Sequence, residues 1–272
     1  MDANDEDAHK VFDEYNCKGV PHLLFVDNKG NEVDRIIGYL PPSEYLARIQ
    51  DIRNNRHTLD DYLTQYKNGK ANADLIAGIA MKYEERGDSA NTKEFYSILI
   101  KDYPDPISEY YQRGTYYLAS DAFKNGIQMA LNAYIGSFPD SPFIKEAFYT
   151  MAYHYADKKM KEDELKVYAQ MLSHFPDNTG ILNSYAWRMA EIEINLEDAL
   201  VKVRRAVELS SDNPNSQANI IDTEAEVLWK LKRFDEAINA IEKSIVIDGE
   251  NQYFKDQKEK FIQSKKGTSQ PV

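Results

Sequence analysis

Among 272 residues there is one cysteine, Cys17, so neither an internal disulfide nor a thiolate zinc cluster can form. Basic residues are in deficit. Lys and Arg number 33 against 45 Asp and Glu, a formal net charge of −12, which argues against a nucleic-acid or anionic-membrane partner. No apolar run approaches the ~18 residues of a membrane span. The five histidines (His9, His22, His57, His154 and His174) lack ligand spacing, so neither a metal nor a cofactor is expected. The 12 glycines are dispersed, which excludes a glycine-rich phosphate loop, and no Gly-x-Ser-x-Gly elbow occurs. Carboxylate groups such as Glu84-Glu85 and Glu162-Asp163-Glu164 read as solvated polar turns, and no catalytic residue is nominated. The acidic start, Met1 to Asp7, is unlike a secretory signal. It points to a cytoplasmic protein, with a periplasmic or exported one as the alternative if the amino terminus is truncated.

What the chain does have is a period. Pro104, Pro139, Pro176 and Pro214 stand 35, 37 and 38 residues apart. Three share a setting: Tyr103-Pro104-Asp105, Phe138-Pro139-Asp140 and Phe175-Pro176-Asp177. Asp248-Gly249 marks a fifth boundary 35 residues on. A fixed interval of this size is the mark of a stacked repeat. Each interval carries two helical patterns. Ile76, Ile79, Ala80 and Tyr83 precede Phe95, Tyr96 and Leu99; Ile221, Ala225 and Leu228 precede Phe234, Ala237 and Ile241. The interval 105–139 is the least regular, with Tyr110, Gly114 and Tyr117, then Ile127, Leu131 and Tyr134. Small residues at Ala80, Gly114, Ala152, Ala225, Ala199, Ala206 and Ala237 sit where helices must approach closely. Each proline is expected to end the second helix of its pair.

At these residues the chain resembles an array of tetratricopeptide repeats (TPRs), most clearly at Phe234-Asp235-Glu236-Ala237 and Leu196-Glu197-Asp198-Ala199. Thr92 and Glu164 depart from the pattern, standing where that family places the alanine of the second helix. The resemblance implies a mainly α fold, an alpha-alpha superhelix, with five helical hairpins over 70–250. A polar capping helix over 251–265 and a loose tail over 266–272 follow.

Residues 1–54 differ. Ala8, Val11, Phe12 and Tyr15 suggest a short helix. His22 to Val26 and Glu32 to Tyr39 flank the turn signal Asp27-Asn28-Lys29-Gly30 and read as a hairpin; Pro42 then opens a helix. From Tyr15 through Cys17, Gly19-Val20-Pro21, Leu23-Leu24-Phe25-Val26 and Gly30 to Gly38-Tyr39, the segment resembles the carboxy-terminal half of a thioredoxin-like domain. The resemblance implies a small α/β partial thioredoxin fold, a cis peptide at Pro21 and a structural role for Gly38 beside that loop. It also implies a link to cell redox homeostasis. That family's Cys-x-x-Cys half has no counterpart here, so the chain as it stands is expected not to be an enzyme. Cys17 reads as a small buried hydrophobe and His22 as loop surface. The open hairpin edge admits three accounts: truncation of a longer thioredoxin–repeat protein (favoured), self-association through that edge, or packing on the first repeat helices. Residues 55–69 join the two parts.

Function is expected on the inner face of the array, where the chain would bind a peptide or partner helix as an interaction scaffold. The register places Tyr111, Tyr149, Tyr153, Arg188 and Glu226 there, with Met81, Thr115, Ser184 and Asp222 beside them. Twelve of the 19 tyrosines lie between Tyr83 and Tyr168, which favours the middle of the array. The alternative is a fragment of a thiol–disulfide oxidoreductase whose repeats recruit substrate.

Overall fold

The structure is a computed structural model that describes residues 6–17 and 19–268. It is mainly α: helical hairpins follow a small α/β front segment. The chain falls into two units, divided between Thr150 and Met151. The first holds α1 (Glu6–Glu14), β1 (His22–Val26), β2 (Glu32–Ile37), α2 (Pro42–Arg53), α3 (Leu59–Lys67), α4 (Ala73–Arg86), α5 (Ser89–Asp102), α6 (Glu109–Lys124), α7 (Ala130–Ser137) and the start of α8 (Ile144–Asp157). The second holds the end of α8, α9 (Lys161–His174), α10 (Thr179–Ile192), α11 (Leu196–Leu209), α12 (Pro214–Lys230), α13 (Phe234–Ile247) and α14 (Gln252–Thr268).

Local chemistry sets the helix ends. Asn72, Asp88, Asn178 and Asn213 each accept a hydrogen bond from the backbone N–H three residues on, satisfying a donor that the helix itself leaves open. Gly87 ends α4 in the left-handed region at φ 72°, which a side chain would strain. The second helices stop alike. Tyr103, Phe138 and Phe175 have φ,ψ of −131°,59°, −133°,62° and −128°,64°, and each N–H turns back four residues to Leu99, Tyr134 or Met171. The following proline disfavours α geometry in the residue before it, so one local rule makes three similar corners. Pro214 departs from this expectation. It opens α12 at the first helical position, five residues after α11 ends. There its missing N–H costs nothing and its fixed φ already suits a helix. Ile127 also departs: Gly126, at φ 98°, breaks the chain before α7, which leaves Ile127 exposed in a turn.

Each unit buries its own core. In the first, Leu75, Ile76, Ile79 and Ala80 of α4 meet Phe95, Tyr96 and Leu99 of α5. α4 touches α6 as well as α5, so consecutive first helices stack. α10 and α12 do the same in the second unit, where Ala186, Ala199, Ala206, Ala225 and Ala237 are fully buried. Where α6 crosses α5 the fit is tightest: a Cβ on Gly114 would stand 2.8 Å from Cδ1 of buried Tyr96. α14 packs along α13 and continues through Thr268, past the boundary expected for the capping helix; of the expected tail, 269–272 lie outside the described residues.

Gly114→Ala is expected to destabilise the protein by about 1–3 kcal/mol, the usual cost of overpacking a close helix crossing. Gly136→Ala, on the exposed face of α7 with nothing within 4 Å of the new Cβ, is the control. It should be neutral or stabilising by up to ~1 kcal/mol, since alanine is the better helix former. Urea midpoints of the two variants read the difference.

Candidate functional site

In the front segment β1 and β2 pair antiparallel, His22 opposite Ile37 and Phe25 opposite Asp34, with an irregularity at Phe25–Val26. The Asp27 carboxylate closes the turn. It accepts from Asn31 Nδ2 and N at 2.9 Å and from Lys29 N at 2.8 Å, and these bonds, led by that from the Asn31 side chain, hold its pKa below the ordinary aspartate value. The Val20–Pro21 peptide is cis, and Gly38 N–H donates to Pro21 O at 2.9 Å. Pro21 and Gly38 are thus brought together.

Beneath the hairpin lies a knot of charges. Three successive β2 residues, Asp34, Arg35 and Ile36, are buried. Asp34 bonds Arg48 of α2 and, at 2.9 Å, Lys82 of α4. The Arg35 guanidinium donates to Glu32 (2.8 and 2.5 Å), to Glu85 O (2.8 Å) and to Tyr15 O (2.8 Å). Arg86 reaches Glu32 at 3.2 Å and Val33 O at 3.3 Å. Burial works to raise the Glu32 pKa, but the Arg35 hydrogen bond and the Arg86 charge outweigh it and hold it below the ordinary value. Through these bonds β2 leans on α4, the first repeat helix. The signal in the sequence was the charged residues Glu32, Asp34 and Arg35 within one short strand.

Two readings of single residues change here. His22 is not loop surface: it opens β1, half-buried, and neither ring nitrogen reaches solvent or a hydrogen-bond partner. Burial and then the Arg35 charge lower its pKa. Cys17 is half-buried, and desolvation raises its thiol pKa against the pull of Arg35. That favours the unreactive thiol over the thiolate.

The carboxylate pairs read as solvated faces are partnered instead. Glu84 accepts from Tyr96 OH (2.6 Å) and Arg113 Nε (3.2 Å), and Glu85 takes Lys82 Nζ (3.1 Å). Glu164 is 1% exposed and holds Arg188 at 2.5 and 3.1 Å. It occupies a helix-crossing position where a small residue would pack without a charge. Once the carboxylate is buried there it needs a cation, which α10 provides. Thr92, at the equivalent place in α5, is fully buried and donates to Asp88 O at 2.6 Å.

The candidate groove residues separate accordingly. In the first unit, Tyr111 is half-buried with its ring 6.3 Å from that of Phe138, and Tyr149 is half-buried. In the second, Tyr153 is 67% exposed, while Arg188 is committed to Glu164 and Glu191, and Glu226 to Lys260 at 2.5 Å. Met81, beside the same face, lines a cleft of about 380 Å³ with Arg48, Asp51, His57, Tyr62 and Tyr110. Among the described residues no helix is long and apolar enough to cross a membrane.

Residues 2–53 match the family model of a thioredoxin-like domain. The matched span holds the hairpin, the Pro21–Gly38 contact and all of α2. Among matching solved structures is the crystal structure of a thermophilic TPR protein from Thermus thermophilus. It is 16% identical, with a TM-score of 0.38 over 71% of this chain and 100% of that one. Curated proteins give no match. The hairpins are TPR-like by their own period, corners and stacking: the pairs recur at near-constant spacing, three second helices stop at similar corners, and within each unit first helices pack together, α4 with α6 and α10 with α12.

Arg188→Ala is expected to cost about 3–5 kcal/mol by leaving the Glu164 carboxylate buried without a cation. Adding Glu164→Ala should recover most of that loss, a coupling that a double-mutant cycle in urea measures. A residue serving only a ligand would leave stability unchanged in the single variant.

Proposed function

We propose that this chain is a protein-interaction scaffold. Its TPR-like hairpins bind an extended peptide or a partner helix along the inner helices, and the thioredoxin-like front segment serves as a structural adaptor. The observation that carries this reading is Tyr153, which is 67% exposed on a helix whose neighbouring Met151, Ala152 and Tyr155 are buried. Tyrosine offers a large rigid contact area at low entropy cost and keeps a polar tip for orientation. The net charge of −12 favours neutral or basic peptides over nucleic acid.

The lone thiol agrees with an adaptor role, since one sulfur cannot cycle through an internal disulfide. A second reading rests on the match of residues 2–53. In it the chain is part of a thiol–disulfide oxidoreductase whose repeats recruit substrate. Self-association through the same segment is a further reading: β1 pairs with β2 on one side, and its sequence, HLLFV, carries no acidic residue to repel a second copy.

In a pull-down with the full chain as bait, the double change Tyr149→Ala and Tyr153→Ala should lower capture about tenfold or more while the circular-dichroism melt is retained. Equal capture by the folded variant removes the groove assignment. The wild-type chain should show no turnover in insulin reduction; turnover would favour the oxidoreductase reading.

A further inference from the structure

The second unit contains a buried carboxylate without a cation. Asp222, in the middle of α12, is 6% exposed, and its Oδ1 has no hydrogen-bond partner. Across from it on α14, Gln257 Oε1 is also buried and without a donor. Tyr253 of α14 stands near both, and its hydroxyl acts on the Asp222 carboxylate to lower its pKa. Two buried acceptors, one on each helix, therefore lack a donor. The nearby cation, Lys260 of α14, is 2.5 Å from Glu226, one turn along α12, and lies 4.4 Å from the Trp229 ring.

We propose that α14 is an acid-retained cover over the α12 face, held closed when Asp222 carries a proton and loosened when it ionises. A proton on Asp222 removes the buried charge and turns a partnerless acceptor into a hydroxyl. The groups that act on Asp222 are Tyr253 and Lys260 from α14 and Glu226 from its own helix; no charged group of α10, α11 or α13 figures among the interactions that shift it. Desolvation dominates and pushes its pKa up to about 6, with Glu226 adding to the rise and Tyr253 and Lys260 opposing it. The sign follows from linkage. A carboxyl whose pKa is raised in the closed state stabilises that state fully below its ordinary pKa near 4. The stabilisation is lost as pH rises through about 6. Opening would uncover Asp222 and Glu226, two positions of the inner register.

Trp229 reports the contact, because its Nε1 donates to Ser264 Oγ at 2.9 Å and its ring lies 6.1 Å from Phe261, both on α14. The test uses the full chain carrying Trp187→Phe, so that Trp229 is the remaining tryptophan. Acrylamide quenching of Trp229 and amide-exchange protection of α14 are followed from pH 4 to pH 7.5. The opening constant of α14 should rise roughly tenfold per pH unit between about 4 and about 6, then level. Asp222→Asn, which cannot ionise, should be flat across that window apart from changes shared with the parent. Tyr253→Phe, which removes the hydroxyl that lowers the Asp222 pKa, should move the end of the rise to higher pH. Should Asp222→Asn fail to fold, the Tyr253→Phe shift still decides. A parent and an Asp222→Asn variant with the same pH profile would overturn the proposal, as would an unmoved profile in Tyr253→Phe.

Discussion

A charge taken out of water must find a partner inside the protein, and this constraint organises the front of the molecule. A two-stranded hairpin is too small to be stable alone. Here Asp34 is buried beneath β2, and the cations that answer it come from α2 and α4. Arg35 extends the bonding to Tyr15 at the end of α1 and to the last turn of α4. The desolvation cost of such a cluster is large, and only a near-complete set of hydrogen bonds offsets it. The hairpin is therefore specified by where its charges can be met, and α4 belongs to the front segment energetically as much as to the repeats.

The repeat period was legible in the sequence because its determinants are local. A Tyr or Phe before proline sets one backbone geometry, and Tyr103, Phe138 and Phe175 adopt it. Pro214 misled for a related reason: proline is compatible with two places in a helical hairpin, just after one helix and at the first position of the next. The charge knot was not legible as a unit, since Glu32, Asp34, Arg48 and Lys82 come from three elements spread over fifty residues. Glu164 was misread because its immediate neighbours Glu162 and Asp163 form a polar run, while the residue that decides its state, Arg188, lies 24 positions away. Its place in the repeat pattern, where a small side chain belongs, was the better guide to burial than its local composition.

The same reasoning separates the candidate groove positions. A residue one turn along a first helix can face a ligand or the next first helix, and the register does not distinguish them. Arg188 is drawn to Glu164, and Glu226 to Lys260, because a buried or half-buried charge nearby offers more than solvent does. Tyr153 carries no charge to be recruited and remains largely exposed.

Asp222 is the exception that gives the second unit its distinctive chemistry. Asp34, Glu164 and Glu226 each face a cation, whereas Asp222 faces a phenol and leaves one oxygen without a partner. Its neighbour Glu226 has already engaged Lys260, the cation best placed to neutralise it. A site short of one positive charge stays buried most easily by taking up a proton. This is why the raised pKa falls on Asp222 and why α14, which supplies both the phenol and the committed lysine, is the element whose docking feels that proton.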